Sequence, residues 1–391
     1  MIDAPVPTQP GPSRASESAT KSLTGVHQFA ASRNVDAAWR DAVAWASNVA
    51  ARHRDVTAEA TSAVQFDVRA LLEEKIPAVG YDMHGLAMVL RGVGRLWLDR
   101  HAASQVAALC KLDLAILDRA VARQSRAIGP LILEEWQARG TDTPVVFRTD
   151  GGVLRAVLSS SYQPVDTLPL LRTIRDVVAP LGIGPLRALH TPQLVRIEFA
   201  RFDARNSRSY VPGLVLTNSE VADASVRIQP AIARMHRRTA TRLEREPQLS
   251  YRHVGDAQGR IVTALREQIR PILHASEEAI ATWHEIRDVS APAIGNDTVI
   301  ETLTEVLGRR TAGEVVTAWR AEQSSRQTFK TLFAMAAAHA RALPTIEQVR
   351  LDSLLDIILA YTDDAVHTTA DMAVVGAARV GASDRPERAA R

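Results

Sequence analysis

The chain reads as an α+β protein, with a central antiparallel sheet and packed helices, flanked by N-terminal and C-terminal helical regions. Three observations predict this. Leu194 to Phe202 alternates, with Leu194, Arg196, Glu198 and Ala200 opposing Val195, Ile197 and Phe199, the pattern of a half-buried antiparallel strand. Asp150-Gly151-Gly152 separates two apolar runs, Val145 to Phe147 and Val153 to Ser159, which is a hairpin signal. Helical spacing dominates both ends, at Val35 to His53 and from Gly259 onward.

Residues 1–33 are rich in Pro, Ser, Thr and Ala and are expected to form a disordered arm. Residues 34–143 are expected to be a helical N-terminal region. Ala38, Trp39, Val43, Ala46 and Val49 mark its first helix. Phe66 to Glu74 and Met83 to Leu90 are ambiguous between helix and strand, and Leu96 to Leu98 reads as a short strand. Asp99 is the expected N-cap of a helix through Leu109. A second helix carries Leu114, Leu117 and Val121, and a third runs past Pro130 through Trp136 to Gly140. The first two have the outline of a helix-turn-helix without its turn glycine.

Residues 144–258 are expected to be the α+β core. Asp166 is expected to cap a helix through Leu171, Ile174 and Val178, stopped by Pro180 and Gly182. Leu186 to Leu189, Leu194 to Phe202, Leu214 to Leu216 and Val226 to Gln229 read as strands. The stretch after Gln229 reads as a strongly basic helix. Residues 259–376 are expected to be a C-terminal helical region: a long helix through Ile261, Leu265, Ile272 and Trp283 with Pro271 inside it, then helices at Thr298 to Leu307, Ala312 to Leu343 and Thr345 to Tyr361. Residues 377–391 are expected to be a loose basic tail.

Composition excludes several classes. No segment approaches the roughly 20 apolar residues of a membrane span, and the N-terminus lacks the charge and apolar run of a signal peptide. One cysteine, Cys110, excludes an internal disulfide framework and a Cys-based zinc site. A cytoplasmic protein with no membrane partner is the expectation. No P-loop or dinucleotide fingerprint is present, and no cofactor is predicted. At His284-Glu285 a zinc-protease motif fails because Asp288 stands where the second histidine belongs. Asp363, Asp364 and His367 read as a solvated helix end.

The formal charge is only +3, with a pI of about 9.2. Its distribution is more telling: seven arginines lie between Arg227 and Arg252, against Glu244 and Glu246. On a helix, Arg234, Arg238, Arg242 and Arg245 share one face, with Arg237 beside them and Arg252 following. Such a row suits a phosphodiester backbone, and Tyr210 and Tyr251 flank it as stacking candidates. The competing expectation is a solvated outer face, with Ile232, Met235, Thr239 and Leu243 packed inward.

Two segments carry a family resemblance. FRTDGGVLRAVLSSSYQPVD, Phe147 to Asp166, fits a signature in which Arg155, Ala156, Leu158, Ser159, Tyr162 and Asp166 fall at matching positions. Tyr210 to Asp256 fits a second, through Gly213, Leu214, Asn218, Ser219, Glu220, Val221, Arg234, Arg252, His253 and Gly255. These resemble the phage- and plasmid-associated family called domain of unknown function 932, over roughly residues 96 to 360. This chain departs from the family at Ala222 and Ala224, where members carry glycines. It departs again at Met235 to Arg238, where members carry cysteine and asparagine, and at Lys111-Leu112-Asp113, where members show a Gly-Ile-Pro turn. The resemblance implies a mobile-element context and no assigned activity.

Three functions follow as expectations. The first is a non-enzymatic nucleic-acid-binding protein of single-strand binding or annealing type, with single-stranded DNA as partner. Only fold-level analogy to annealing proteins supports the subtype. The second is a homo-oligomeric scaffold of a mobile element, using helices near Ala312 to Tyr361. The third is a hydrolase around Ser219, Glu220 and His253, although no nucleophile elbow surrounds Ser219.

Overall fold

The computed structural model describes residues 25–29, 35–58, 63–68, 81–138, 144–159, 161–202, 210–235, 238–243, 246–286, 303–304, 308–322, 331–332 and 335. In chain order the elements begin with β1 (Gly25–Gln28), α1 (Val35–Ala50), β2 (His53–Ala58), β3 (Ala63–Val68), β4 (Met83–Leu90), β5 (Gly94–Asp99), α2 (Arg100–Leu109), α3 (Leu114–Ala122), α4 (Ile128–Ala138), β6 (Val145–Asp150) and β7 (Val153–Ser159). They continue with α5 (Thr167–Val178), β8 (Ile183–His190), β9 (Val195–Arg201), β10 (Tyr210–Asn218), β11 (Val226–Arg234), β12 (Thr239–Arg242), β13 (Leu249–Tyr251), α6 (Ala257–Ile286) and α7 (Arg309–Arg320). The fold is α+β with two mostly antiparallel sheets. None of the described helices is long and apolar enough to cross a membrane. The expected helices at Thr345 to Tyr361, the Asp363/Asp364/His367 trio and the basic tail lie outside the described residues, as does most of the N-terminal arm.

The chain divides into two compact units that interleave in sequence. The first comprises Met1–Gly25, Ala51–Ser160 and His190–Gln193; the second comprises Val26–Ala50, Ser161–Leu189 and Leu194–Arg391. Boundaries expected at 143/144 and 258/259 therefore fall inside units.

In the first unit the strand order is β2-β6-β7-β5-β4-β3, antiparallel except for the parallel β5–β7 pair. One face takes Leu86, Met88 and Leu90 of β4, Leu96 and Leu98 of β5, and Phe147 of β6, the period-2 set of each strand. Against it pack Val106 of α2, Leu117 of α3, and Ile132 and Trp136 of α4. Gly129 is required here, because a Cβ would run into the Phe66 carbonyl. Asp99 caps α2 as expected, its Oδ1 accepting from the Ala102 amide at 2.7 Å. The region 34–143 is nevertheless not purely helical, since it supplies β2 to β5. Short apolar runs such as Met83 to Leu90 carry no period that separates a buried strand from a buried helix. Pairing with neighbouring strands decides them.

The second unit is a seven-stranded antiparallel sheet, β1-β8-β9-β10-β11-β12, with β13 also pairing β11. One face carries Ile197, Phe199, Leu214, Leu216, Ile228 and Ile232, all buried. Trp39 of α1 lies 5.5 Å from Phe199 by ring centroids and donates its Nε1–H to the Ile183 carbonyl at 2.9 Å. Helix α6 packs on β10 and β11. Pro212 and Pro230 lie in these central strands, each without a ladder N–H. Between them Ser276 of α6 accepts from the Ala231 amide and donates to the Gly213 carbonyl, both at 3.1 Å. One hydroxyl thus bridges an opening in the β10–β11 ladder. Gly213 permits the close strand approach, because a Cβ there would strike the Phe199 carbonyl.

The opposite face carries a second, smaller apolar cluster. Its residues Ala200, Val211, Val215, Ala231, Ala233 and Ala240 form one small cluster with Leu186. Alanine on four of these positions lets β12 curl back toward β9. The Ala240 amide donates to Glu198 at 2.6 Å, and the Ala240 carbonyl accepts from Arg196 at 3.1 Å. Arg238 donates to the carbonyls of Phe29 and Leu186. Side chains, not a backbone ladder, make these links.

The basic helix expected after Gln229 does not exist. β11 runs through Arg234, a turn follows, and β12 returns antiparallel. The segment Arg227-Ile228-Gln229-Pro230-Ala231-Ile232-Ala233 alternates, and alternation with pairing on both sides overrides the helical spacing of the arginines.

Candidate functional site

The motif residues separate into groups. Arg155 and Ser159 lie on β7 in the first unit. Tyr162, Asp166, Asn218, Ser219, Glu220 and His253 belong to the second unit, where contacts link all but Asp166 around the start of α5. Asp166 occupies the N-cap position, yet its carboxylate makes no capping bond, a correction to the expected cap. The Thr167 amide donates instead to Glu220 Oε1 at 2.9 Å. A carboxylate at a helix N-terminus also meets the positive end of the helix dipole. Asn218 Nδ2 donates to the Val165 carbonyl at 2.8 Å and to Thr167 Oγ1 at 3.2 Å. Ser219 Oγ closes its own turn by accepting from the Asp223 amide at 3.0 Å.

Tyr162 and His253 complete this latch. Their rings stack with centroids 5.2 Å apart. The Tyr162 hydroxyl lies 3.0 Å from His253 Nδ1 and 3.4 Å from the Ser219 carbonyl. The Gln163 amide donates to the His253 carbonyl at 2.9 Å. Ser219 is 0% exposed and its hydroxyl bonds a backbone amide, while the His253 imidazole meets Tyr162. These contacts make no serine–histidine dyad. The cluster ties the β10 end and the β13 end to α5.

The arginines do not form a row. Arg234 pairs with Tyr210 and Thr239, and Arg242 with Ala231, so alternation sends Arg234 and Arg242 to opposite faces of the β11–β12 hairpin. Arg238 sits in the turn with φ +53° and is a strut to Phe29 and Leu186. Arg237 and Arg245 lie outside the described residues. Tyr210 meets Trp283 edge-on at 6.0 Å, and His284 stands at its other ring contact.

A basic cluster does remain at the edge strand β13. Tyr251 closes that strand, half-buried, with the Arg260 guanidinium over its ring at 5.9 Å. Arg252 follows and is exposed. Arg227 on β11 is exposed as well but pairs with Ser250, so it projects from the opposite face to Tyr251, which pairs with Val226. Arg260 also donates to the Val254 carbonyl at 2.6 Å.

Sequence reasoning missed the charged residues on the face that carries the smaller apolar cluster of the second unit. Glu198 is 0% exposed and accepts two bonds from Arg187, at 2.7 and 2.8 Å, and one from Arg196 at 3.2 Å. Burial opposes its charge, but the Arg187 and Arg196 guanidiniums outweigh that and hold the carboxyl below its ordinary range. The alternation at Arg196 and Glu198 was legible, but polar alternates read as solvent-facing. In the folded sheet they are buried, with β12 reaching Glu198 through the Ala240 amide.

The first unit holds a second polar set. Arg155, 2% exposed, lies 2.8 Å from His53 Nε2 and donates to the Pro192 carbonyl at 2.6 Å. A guanidinium can only donate, so His53 Nε2 is the accepting atom of this contact. Tyr81 donates to Asp150 at 2.5 Å, and Arg52 pairs with the other oxygen at 3.0 Å. Burial raises the Tyr81 hydroxyl pKa, Arg155 opposes, and the Asp150 hydrogen bond adds to the rise. Burial likewise raises Asp99 from 3.8 to about 6, against the Ala102 amide and the charges of His101 and Arg155. Among the described residues no group of three or more His, Cys, Asp or Glu side chains is arranged to hold a metal.

No protein-family model, curated protein or solved structure matches this chain.

Proposed function

We propose that the protein binds nucleic acid, single-stranded DNA in the first place, through the β13 edge of its second unit. The carrying observation is Tyr251, backed by Arg260 and followed by exposed Arg252. An aromatic ring among guanidiniums at a sheet edge offers stacking to a base and charge to its phosphates. The arrangement favours a binding protein of single-strand binding or annealing type over the hydrolase, because the Ser219 hydroxyl and the His253 ring are committed to other partners. The motif resemblance supports a phage- or plasmid-derived, cytoplasmic setting. The β13 edge therefore takes over the role that the sequence suggested for a basic helix.

The test is fluorescence anisotropy on a labelled oligonucleotide as salt is varied. Two arginine–phosphate contacts, from Arg252 and Arg260, give log affinity a slope of about −1.4 against log salt, at about −0.7 per contact. Arg252→Ala reduces the slope by about 0.7, and Tyr251→Ala weakens binding by about 1–3 kcal/mol. Absence of binding by the wild type, or variants that bind like it, would overturn the proposal.

A further inference from the structure

His84 is buried in the first unit with only one of its two ring nitrogens satisfied. It sits near the start of β4, and its Nε2 lies 3.0 Å from Asp118 Oδ1 on α3. Arg100, the first residue of α2, donates to both oxygens of the same carboxylate, at 3.4 and 3.0 Å. A carboxylate held by a guanidinium accepts and does not donate, so His84 Nε2 carries the proton of this contact. Nδ1 is buried as well and has no hydrogen-bond partner among the described residues. In the neutral ring Nδ1 is an unused acceptor. In the imidazolium it becomes a buried, charged N–H with nothing to receive it, which is costly.

The helix on the other side of the contact is lightly held. Of its 9 residues, α3 buries only Leu117 and Ala120, and Ile116 is exposed. Asp113 caps it through the Ala115 amide at 2.9 Å, but that bond lies within the helix. Arg119 likewise donates back to the Ala115 carbonyl. Among the described residues, Asp118 is therefore the one side chain of α3 with a polar tie to β4 and α2.

The charges acting on His84 are those of Asp118 on α3, Arg100 on α2 and exposed Asp82 just before β4. On the neighbouring strands, Asp67 of β3 and Arg95 of β5 pair with each other at 3.5 Å. They alternate with Phe66, Val68 and Leu96 of the apolar cluster, and so face away from α3. Burial lowers the imidazole pKa below its ordinary 6.5, against the Asp118 hydrogen bond and charge. The closed arrangement thus takes up a proton less readily than an open one. Acid favours opening, beginning as pH falls through 6.5.

We infer that the His84–Asp118 contact is an acid-sensitive clasp: protonation of His84 releases α3 and bares the part of the apolar cluster that the helix covers on β4 and α2. The rest of the cluster stays packed, because most of its residues belong to β4, β5, α2 and α4. The clasp is independent of the nucleic-acid proposal.

The test is hydrogen exchange of the full-length protein, followed by mass spectrometry on peptides covering α3 and α4 at about pH 7.5 and about pH 5.5. Rates are expressed as protection factors, which removes the intrinsic pH dependence of exchange. Protection of α3 should fall on acidification by up to about tenfold, the limit set by an open-state imidazole titrating at its ordinary 6.5. Protection of α4, the internal control, should hold. His84→Gln keeps an N–H for Asp118 and takes no charge, so its α3 should be equally protected at both pH values. Unchanged protection of α3, an equal loss in α3 and α4, or a His84→Gln variant that responds like the wild type would each overturn the inference. If His84→Gln does not fold, proton NMR of the wild-type imidazole decides in its place: a His84 midpoint at or above 6.5 overturns the clasp, and one below it, with α3 alone losing protection, supports it.

Discussion

Asp99→Asn is expected to change stability in a pH-dependent way, and the structure sets the size. Asp99 is 1% exposed, its Oδ1 caps α2 through Ala102, and its Oδ2 has no hydrogen-bond partner among the described residues. Burial raises its carboxyl from 3.8 to about 6. An acid with a raised folded pKa binds its proton more tightly folded than unfolded. Stability therefore falls as pH rises through that window and stays lower above it. The whole penalty is about 3 kcal/mol, of which roughly half falls between about pH 5 and pH 8. Asparagine retains the capping oxygen and never ionises. Its cost as a buried amide is nearly the same at both pH values, so the difference between them isolates the carboxylate. Urea unfolding followed by tryptophan fluorescence, with Trp97 and Trp136 reporting on this unit, gives the variant's stability relative to wild type. The variant should gain about 1.5 kcal/mol, relative to wild type, on going from about pH 5 to about pH 8. The same relative stability at both values, or a variant weaker at the higher one, would refute the argument.

Two further outcomes follow from the second unit. Glu198→Ala leaves Arg196 buried without its carboxylate and the Ala240 amide without an acceptor, and should cost about 3–5 kcal/mol in denaturant unfolding. Because the Glu198 carboxyl is held low, its contribution is present above the ordinary carboxylate range and is lost as pH falls through its folded value; Glu198→Gln should flatten that acid limb. Ala222, at φ +65° in the turn after Glu220, holds a left-handed conformation that glycine adopts freely. Ala222→Gly should raise stability by about 0.5–1 kcal/mol, measured as a shift in urea midpoint with unchanged slope.

The elements that were legible in the sequence are those whose signals are local. The Asp150-Gly151-Gly152 turn gave β6 and β7, Asp99 gave the start of α2, and the apolar runs Leu214 to Leu216 and Val226 to Gln229 gave β10 and β11. Failure came where the deciding contact is remote. Arg234, Arg238 and Arg242 have helical spacing, but β10 pairs with β11 along eight positions and leaves no freedom for a helix. Glu220 and Thr167 are far apart in sequence, so neither motif alone announces that one caps the helix begun by the other. Among the candidate residues, the sequence picked out Tyr162, Asn218 and His253 without revealing that they form a latch.

The geometry also bears on how much charge is available to a ligand. Seven arginines on a helix and its flanks, all touching phosphate, would give a salt slope of about −5. In the folded chain Arg238 is taken up by the carbonyls of Phe29 and Leu186, and Arg234 and Arg242 diverge to opposite faces. The exposed guanidiniums on the Tyr251 side of the β13 edge are those of Arg252 and Arg260. Binding through that edge gives a slope near −1.4, so the salt dependence separates the two geometries without a structure of the complex. A guanidinium that donates to backbone carbonyls to close a sheet must give up those bonds before it can meet a phosphate. Folding therefore limits which arginines can serve a partner, and the limit is set by the alanine-lined curl that brings β12 against β9.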